Sequence, residues 1–411
     1  MRNVGYMQQF DIAIIGGGQA GRRAAEGARS VAPDAKIVIF GDEAHLPYDR
    51  PPLSKEALRD ASGFASCQKR DRAFYDGAGI VLALSERVET IDIRSRRLRT
   101  HERVVGFERA IFATGSRLRR FTLPKQIEGA THYLRTKDDA YKLRDQLCPK
   151  RRVGIIGAGF IGLEVAAAAR SAGAEVVVFE SADSVLSRVL PVSISRLIEE
   201  RHRAEGVELL LGTNVREVGV HRGGSPLVET DHARFKLDLL VVGIGVVPND
   251  ELASESGLSV RNGIVVDAHG RTLDERVFAA GEVTVHPFGD GARQGRFESW
   301  QVAESQAYCC GVNAAGGDKP YNEEPWFWSD QYDLNIQVLG SCDPGARWIV
   351  REYDGQAASA FALGSGNVVE SVIALNAGRD ISIARRLMSR RKALDPAALS
   401  DPQFRLQLFL K

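Results

Sequence analysis

Two glycine-rich stretches have the residue types and the spacing that bind a dinucleotide. Both satisfy the pattern G-x-G-x-x-G, with Gly16, Gly18, Ala20 and Gly21 in the first stretch and Gly157, Gly159, Ile161 and Gly162 in the second. Glycine lets the chain turn tightly and lets a pyrophosphate approach bare backbone amides at a helix N-terminus. One such string is a weak signal, but two of the same order in one chain predict two dinucleotide sites.

An acidic residue follows each glycine string at the distance where a ribose needs a hydrogen-bond acceptor. Asp42 stands 21 residues past Gly21, and Glu180 stands 18 residues past Gly162. Each unit therefore reads strand, glycine turn, helix, strand and acid. No Arg or Lys follows Glu180 in the sequence Ser181-Ala182-Asp183. A carboxylate accepts from two ribose hydroxyls and repels a 2′-phosphate, so the pattern predicts NAD rather than NADP.

Strands and helices must position these residues, and the apolar pattern predicts both. We expect strands at residues 10–15, 37–40, 110–115, 153–156, 175–179, 237–245 and 277–282, with a small-residue helix after each glycine string. The last of these strands follows the second unit, so the first domain is expected to be interrupted and then resumed. Residues 81–100 alternate apolar and charged side chains and predict antiparallel strands with Val88 and Ile91 pointing inward.

The pattern changes at Trp326, where a separate antiparallel domain is expected. Strand-like segments follow at residues 334–338, 348–352, 358–363 and 368–374, and terminal helices come after them. A basic group in this last part comprises Arg385, Arg386, Arg390, Arg391 and Lys392. A solvated face is the favoured interpretation of this group, with a docking surface as the alternative.

Composition excludes several classes of protein. The 411 residues carry 54 Lys and Arg against 53 Asp and Glu, so a formal charge of +1 gives no global reason to expect nucleic acid. No run of about 18 apolar residues occurs, and residues 1–9 lack the apolar core of a signal peptide. Five cysteines without metal-ligand spacing, Cys67, Cys148, Cys309, Cys310 and Cys342, predict reduced thiols in the cytoplasm.

A charged and proline-rich string runs from residue 45 to residue 55. Pro51 and Pro52 predict a rigid bend, after which Ser54 is expected to cap a helix that starts at Lys55. Local chemistry alone favours a solvated loop with a chance cluster of charges, and it assigns Lys55 no role.

Together these motifs resemble the NADH-dependent ferredoxin and rubredoxin reductases, flavoproteins that feed electrons to bacterial oxygenases and P450 systems. The resemblance covers nearly the whole chain and rests on residues 16–21, 47–55, 113–115, 157–164, 298–300 and 328–331. It implies an α/β fold with two Rossmann-like dinucleotide-binding domains plus a C-terminal α+β interface domain. The implied FAD domain covers residues 8–118 and 244–325, the NAD domain 119–243, and the interface domain 326–411.

The resemblance also implies which residues contact the cofactors. Positions that match FAD contacts in the family are Ala20, Asp42, Lys55, Val88, Arg135, Glu282 and Trp300, and the NAD fingerprint is Gly157, Gly159, Gly162 and Glu180. Further candidates within or beside the same motifs are Gly16, Gly18, Gly21, Arg50, Ala113, Thr114, Gly115, Ile161, Gly245, Gly281, Glu298 and Ser299. The family usually has aspartate where this chain has Glu282, so the carboxylate is displaced by roughly a bond length.

Lys55 and Glu164 are the two residues that the resemblance places nearest the chemistry. Lys55 is expected beside the flavin, paired with Glu164, which matches a family carboxylate near the nicotinamide. Without the resemblance, a carboxylate on the helix surface is the favoured interpretation of Glu164. Hydride transfer needs no general base, only the nicotinamide C4 stacked on flavin N5 with water excluded. A cation such as Lys55 would favour the anionic reduced flavin.

The expected electron acceptor is a separate protein. The flavin accepts two electrons as hydride and releases them singly, and the chain has no haem or iron–sulfur motif, so we expect a two-iron two-sulfur ferredoxin or a rubredoxin-like carrier that serves an oxygenase. Ferredoxins are usually acidic, so Arg293, Arg296 and Arg347 are candidates for a basic docking rim. We expect a monomer.

Two other functions share parts of this pattern. A disulfide or peroxide reductase needs cysteines beside the flavin soon after the first helix, and no cysteine lies between Gly21 and Ser66. Adjacent Cys309 and Cys310 fit packing on a helix better than a strained vicinal disulfide. An NADH-binding redox-sensing flavoprotein, resembling apoptosis-inducing factor, stays open as an alternative to the enzyme.

Overall fold

The computed structural model describes residues 7–221, 223–341 and 345–411 of the chain. Cys342 and most of the N-terminal segment 1–9 lie outside these residues, so the expectations for them have no structural counterpart. The chain divides into two compact units. The first unit comprises residues 1–50, 65–117 and 246–325, and the second comprises residues 51–64, 118–245 and 326–411.

The strands alternate with helices in the first part of the chain, and a run of five strands, from Trp326 to Leu375, opens the C-terminal part. In the first half they are β1 (Gln9–Ile15), β2 (Ile37–Phe40), β3 (Ile80–Ala83), β4 (Val88–Asp92), β5 (Arg97–Thr100), β6 (Val104–Phe112), β7 (Ser116–Leu118), β8 (Thr131–His132), β9 (Arg152–Ile156), β10 (Glu175–Phe179) and β11 (Val207–Leu210). They continue with β12 (Val215–Val220), β13 (Pro226–Thr230), β14 (Arg234–Lys236), β15 (Leu239–Val242), β16 (Val246–Pro248), β17 (Ile264–Val265), β18 (Val277–Ala279), β19 (Thr284–Phe288), β20 (Arg293–Gly295), β21 (Trp326–Gln331), β22 (Leu334–Gly340), β23 (Trp348–Glu352), β24 (Ala358–Leu363) and β25 (Val369–Leu375).

The helices include two long ones that start at the glycine strings. They are α1 (Gln19–Val31), α2 (Glu56–Arg59), α3 (Arg72–Gly77), α4 (Lys137–Arg144), α5 (Phe160–Ser171), α6 (Val192–Ala204), α7 (Glu251–Glu255), α8 (Ala307–Ala314), α9 (Gly378–Arg390) and α10 (Pro396–Ser400). Short 3₁₀ turns at Pro51–Ser54 and Gly281–Val283 and a π-helical turn at Val302–Gln306 complete the parts that matter for the site. No helix in the described part of the chain is long and apolar enough to cross a bilayer.

The first unit is built on a sheet in the order β3-β2-β1-β6-β5-β4, with β18 also paired to β6. Strands β3, β2, β1, β6 and β18 run parallel, and β1 is buried on both faces. Ile14 packs with residues of α1, and Ala13 belongs to the core on the other face of the sheet. Burial on both faces explains why the sequence of β1 is continuously apolar. Because β18 pairs with β6, the chain returns to the first sheet after the second glycine unit.

Small residues let α1 and α8 pack closely over this sheet. A Cβ on Gly27 would lie 2.2 Å from the carbonyl oxygen of Tyr308, and one on Gly311 would lie 1.9 Å from that of Ala24. Ala24, Ala25 and Ala28 are fully buried, as the small-residue pattern predicts.

The second unit contains a parallel sheet in the order β11-β10-β9-β15-β8 and a separate antiparallel sheet at its C-terminal end. Helix α5 packs on β9 and β10. The C-terminal sheet has the order β21-β22-β25-β24-β23, and α9 packs on β22 and β25 through Ile381, Ala384 and Leu387. The predicted antiparallel strands of this part are confirmed. Domain boundaries within the two units stay a prediction.

Several local expectations differ from the structure. The segment expected to be wholly antiparallel begins with β3, which pairs parallel to β2, and only β4 and β5 form the antiparallel pair that buries Val88 and Ile91. The strand expected at residues 110–115 extends from Val104 to Phe112. Helix α9 ends at Arg390, so Arg391 and Lys392 follow it rather than lying on it. Periodicity over a few residues does not reveal which neighbour a strand pairs with.

Candidate functional site

The first glycine string forms a tight turn between β1 and α1. Gly16 has φ of +125°, and a Cβ there would lie 2.1 Å from the carbonyl oxygen of Ala113. Gly21 packs its helix onto the turn, because a Cβ there would lie 2.0 Å from the carbonyl oxygen of Gly16. Gly18 differs from both, since a Cβ there would meet nothing within 4 Å. The turn therefore leaves an open approach to the backbone at the start of α1.

The second glycine string repeats this geometry between β9 and α5. Gly157 has φ of +103° and lies against the backbone of Gly243, while Gly162 packs against Gly157. A Cβ on Gly159 would again meet nothing within 4 Å. In dinucleotide-binding units the first glycine makes the turn, the second lets the pyrophosphate approach, and the third packs the helix. Both loops therefore fit a dinucleotide.

Both helix N-termini are electrostatically suited to an anion. Gly18 caps α1 and Gly159 caps α5, and neither provides a side chain that would occupy the first backbone amides. Neither helix has an acidic residue in its first turn. The helix dipole and the available amide groups both favour a phosphate at these positions.

The two strand-end acids differ in their contacts. Asp42 is exposed just beyond β2. Glu180 lies beyond β10 and accepts hydrogen bonds from the backbone amides of Ala158, at 2.7 Å, and Ala182, at 2.9 Å. Glu180 therefore joins its strand end to the glycine turn, where its carboxylate oxygens lie close to the loop.

A buried cluster of charged and hydroxyl groups lies in the second unit around Glu164. The Lys55 ammonium stands 3.3 Å from Glu164 Oε1, and the two side chains are 8% and 4% exposed. Ser329 donates to Oε1 at 2.5 Å, and Ser54 donates to Oε2. Lys55 also lies 5.5 Å from the centre of the Trp328 ring. One carboxylate thus receives an ammonium and two hydroxyl groups.

Burial and hydrogen bonding act on Glu164 in opposite directions. Removal of water raises the pKa of the Glu164 carboxyl, while Lys55 and the two serines lower it; burial has the larger effect. The interpretation of Glu164 as a carboxylate on the helix surface is wrong, because the side of α5 that carries it is covered by the Pro51–Ser54 turn and by β21.

The predicted role of Ser54 as a helix cap is also wrong. Residues Pro51–Ser54 form a 3₁₀ turn, α2 starts at Glu56, and Lys55 occupies the cap position. The Ser54 hydroxyl donates to Glu164 instead of to a helix amide. The solvated-loop interpretation of this string fails as well, because Lys55 is 7% exposed. A contact 110 residues away along the chain outweighs the local capping preference.

In the first unit, Asp49 connects two of the motifs that carry the resemblance. The indole of Trp300 donates to Asp49 Oδ2 at 2.8 Å, and Arg22 lies 3.5 Å from Oδ1. Arg22 also pairs with Glu304 at 2.9 Å and with Glu26 at 3.1 Å. Burial raises the pKa of Asp49, and Trp300 and Arg22 oppose this effect. The network holds the Trp300 ring beside the N-terminal half of α1.

The segment 113–115 is held by a residue that the sequence analysis did not single out. Thr114 donates to the carbonyl oxygen of Asn249 at 2.7 Å, and the Asn249 amide donates back to the carbonyl oxygen of Thr114 at 2.8 Å. Gly115 accepts from the backbone amide of Asn249.

Gly281 has φ of +80°, and a Cβ on it would lie 2.7 Å from the Cβ of Ala20, so these two candidates are in contact.

The remaining candidates fall in both units. In the first unit, Val88 and Ser299 are buried, Arg50 pairs with Glu43 at 2.8 Å, Glu298 pairs with Arg296, and Glu282 lies half-buried in its 3₁₀ turn. In the second unit, Arg135 precedes α4, Ile161 is exposed on α5, and Gly245 follows β15 with φ of +95°.

Comparison with known proteins identifies the family. Residues 10–307 match the family model described as pyridine nucleotide-disulphide oxidoreductase, and residues 326–410 match the reductase C-terminal model. The chain belongs to the pyridine nucleotide-disulphide oxidoreductase family. The fold class predicted from the resemblance is confirmed.

Relatives and solved structures cover almost the full chain. The ferredoxin–NAD(+) reductase component of an anthranilate 1,2-dioxygenase system from Burkholderia cepacia is 44% identical over 98% of this chain and 100% of its own. The ferredoxin reductase for the CYP199A2 system of Rhodopseudomonas palustris has a TM-score of 0.91 at 34% identity, covering 97% and 99% of the two chains. The reductase of the putidaredoxin reductase–putidaredoxin complex has a TM-score of 0.92 at 31% identity, covering 98% of each.

The described cysteines of this chain do not supply the redox pair that the family name suggests. Cys148, Cys309 and Cys310 are free thiols. Cys309 and Cys310 lie on α8, where burial raises the pKa of both, most strongly that of Cys310. A high pKa disfavours the thiolate that would attack a disulfide. The packing interpretation of this pair is therefore preferred.

Proposed function

We propose that this protein passes electrons from NADH through FAD to a small iron–sulfur ferredoxin that serves an oxygenase. Support comes from one observation above the others: relatives named as ferredoxin–NAD(+) reductase components align over 98% and 96% of the chain, and the family models cover both glycine loops and the C-terminal part. The partner in one neighbouring structure is putidaredoxin. The activity is of the EC 1.18.1 type.

The two dinucleotides are assigned by motif. In this proposal FAD binds the first loop, with Gly16, Gly18, Ala20 and Asp42 at its pyrophosphate and ribose, and NADH binds the second loop. FAD, when bound, supplies the conversion of a two-electron donor to a one-electron donor. Open space at Gly18 and at Gly159 supports both assignments, because each lets a phosphate reach the helix amides.

Glu180 selects NADH over NADPH in this proposal. Its carboxylate is held near the glycine turn by two backbone amides and accepts from a ribose hydroxyl. A 2′-phosphate at this position would meet a negative charge. The same pair of amides keeps the side chain from rotating away.

Lys55 and Glu164 are the catalytic residues of the proposal. The Lys55 ammonium is the positive charge that would favour a reduced, anionic flavin, and Glu164 orients it at 3.3 Å. Ser329 donates to one oxygen of the carboxylate and Ser54 to the other, so neither oxygen lacks a hydrogen bond in a dry site. Together these groups exclude water from the carboxylate and fix where the charge lies.

The redox-sensing alternative differs in one measurable property. A reductase turns over many times and needs its ferredoxin, whereas a sensor is reduced and then changes partners. We also propose that the protein is a monomer and that it is cytoplasmic, a location that the free thiols of Cys148, Cys309 and Cys310 support.

The experiment is a stopped-flow titration of the purified flavin-loaded protein with NADH, followed by steady-state reduction of cytochrome c. We expect NADH to bleach the flavin, and cytochrome c to be reduced rapidly only after a ferredoxin is added. NADPH serves as the matched control donor and is expected to be at least ~10-fold less efficient, because it meets Glu180. A flavin that NADH bleaches but that no ferredoxin reoxidises would favour the sensor.

A further inference from the structure

Strand β21 presents two buried polar side chains on one face. Ser329 and Gln331 are two residues apart, so they point to the same side of the strand, and both are 0% exposed. The segment 328–331 is one of the strings that carry the resemblance, but the proposed chemistry uses only its contact with Glu164. Gln331, the other polar residue on this face, contacts His202 on α6 as well as Ser329.

A continuous line of hydrogen bonds joins α6 to Glu164 through these two residues. His202 Nε2 lies 2.9 Å from Gln331 Oε1, Gln331 Nε2 donates to Ser329 Oγ at 3.1 Å, and Ser329 donates to the carboxylate at 2.5 Å. All of these residues belong to the second unit. His202 is 0% exposed.

The chemistry of the groups sets the direction of each bond. An ionised carboxylate only accepts, so Ser329 must donate to it and its oxygen is free to accept from the Gln331 amide. The carbonyl oxygen of Gln331 then requires a donor, and His202 Nε2–H is that donor. His202 Nδ1 is buried and has no hydrogen-bond partner among the described residues. A neutral imidazole with its proton on Nε2 meets all three conditions.

We propose that Ser329, Gln331 and His202 are positioning residues for the carboxylate of Glu164. The series of hydrogen bonds orients the Ser329 hydroxyl toward Oε1 of Glu164. Lys55 approaches the same oxygen. This inference rests on the proposed function only in the role it gives to Glu164. It assigns to His202, on a helix that carries no predicted site residue, an effect on the ion pair.

The other groups around Glu164 and His202 do not replace the hydrogen bond from His202 to Gln331. Ser54 and Lys55 face Glu164 from the Pro51–Ser54 turn and the cap of α2. Around His202, the charged groups are Arg201 and Glu205 on and next to its own helix, and the Tyr332 ring packs at 5.0 Å. Burial lowers the pKa of His202, which keeps it neutral.

The test measures the Glu164 carboxyl directly, by infrared difference spectroscopy of the flavin-loaded protein during a pH titration. Glu164→Gln assigns the signal. We expect Ser329→Ala to raise the Glu164 pKa by about one pH unit, because the ionised form loses a hydrogen bond. Gln331→Leu and His202→Phe are expected to shift it in the same direction by about half a unit, because Ser329 is then free to rotate.

Matched variants separate positioning from a general loss of packing. Ser359→Ala removes another buried serine of the same sheet, which donates to Asp380 at 2.6 Å, and is expected to leave the Glu164 pKa unchanged. His202→Gln restores an amide donor and is expected to return the pKa toward that of the wild type, which also covers the case in which His202→Phe does not fold. A wild-type Glu164 pKa in both His202→Phe and Gln331→Leu overturns the proposal, as does an equal shift in Ser359→Ala.

The readout does not depend on ferredoxin. A shifted carboxyl pKa in a protein that reduces no ferredoxin supports the chain of positioning residues and refutes the proposed function. Ferredoxin reduction by the wild type, together with an unshifted Glu164 pKa in the variants, supports the proposed function and refutes the positioning role. In the variants that shift the pKa, we expect kcat for flavin reduction by NADH to fall at least ~3-fold with KM nearly unchanged, since the nucleotide loop is untouched.

Discussion

Single residues of this protein show how strongly burial sets the charge of a side chain. Glu164 and Asp49 both lie in water-excluded positions where burial raises the carboxyl pKa, and both are kept in place by hydrogen bonds from serine or tryptophan. His286 is the clearest case among the bases. It is 2% exposed, and burial lowers its pKa to about 4. Such a group makes the stability of the fold depend on pH.

The His286 prediction follows from the sign of that shift. The pKa is depressed from 6.5 in the unfolded chain to about 4, so the stability is present above pH 6.5 and is lost as pH falls toward 4. Between pH 7 and pH 5 we expect the wild type to lose about 2 kcal/mol of unfolding free energy through this residue. His286→Asn should remove that part of the loss in urea unfolding of the flavin-loaded protein. His101→Asn, at an exposed histidine, is the matched control for the substitution itself.

At the scale of the element, the two strand–turn–helix units are near copies with separate tasks. Gly16 and Gly157 have the positive φ that the turn requires, while Gly18 and Gly159 face open space. A methyl group at the first pair would strain the backbone. At the second pair it would leave the fold intact and obstruct only a ligand. These two positions therefore separate binding from stability.

We expect Gly18→Ala to weaken FAD retention at least ~10-fold and Gly159→Ala to raise KM for NADH by a similar factor, because each methyl group would stand where a phosphate approaches. Unfolding midpoints should change little in both. Gly77→Ala is the control, since a Cβ there also meets nothing within 4 Å but lies on α3, away from both loops. Loss of FAD from Gly159→Ala with normal NADH binding would contradict the assignment of the two loops.

At the scale of the whole molecule, the charge is nearly balanced and many basic side chains are already paired. Arg293 pairs with Glu324 at 2.9 Å and Arg296 pairs with Glu298 at 2.6 Å, with Arg296 only 12% exposed. Because their charges are already paired, Arg293 and Arg296 are weaker candidates for the docking rim than Arg347. Arg347 is exposed, as are Arg385 and Arg386 on α9. A formal charge of +1 for the whole chain is therefore compatible with exposed arginines in the C-terminal part.

If an acidic ferredoxin is steered to a basic surface, the rate of ferredoxin-dependent cytochrome c reduction should fall several-fold between low salt and 0.5 M, where the Debye length drops below about 5 Å. Flavin reoxidation by a neutral quinone is the control and should change little. Arg347→Glu and Arg385→Glu separate the two surfaces, and we expect Arg347→Glu to raise KM for ferredoxin more. A larger effect of Arg385→Glu would place docking on α9 instead.

Much of the fold could be predicted because its signals are local. The apolar run before each glycine string, the glycines themselves and the small residues after them determine a strand, a turn and a helix within about 20 residues. Strands β2 and β10 begin and end where the pattern predicted. The alternation after Trp326 predicted an antiparallel sheet for the same reason. The pairing of β3 was missed, because the choice of neighbour depends on residues far along the chain.

The sequence by itself determined two dinucleotide-binding units, an antiparallel C-terminal part and the residues that could line each loop. Only the tertiary structure decided the environment of Glu164. Its partners Ser54 and Ser329 lie 110 and 165 residues away, and no periodicity connects them. Burial by these distant segments turned an ordinary helix carboxylate into one with a raised pKa and a fixed cation. Local pattern reports backbone conformation, whereas charge and proton affinity depend on what the rest of the chain places around a side chain.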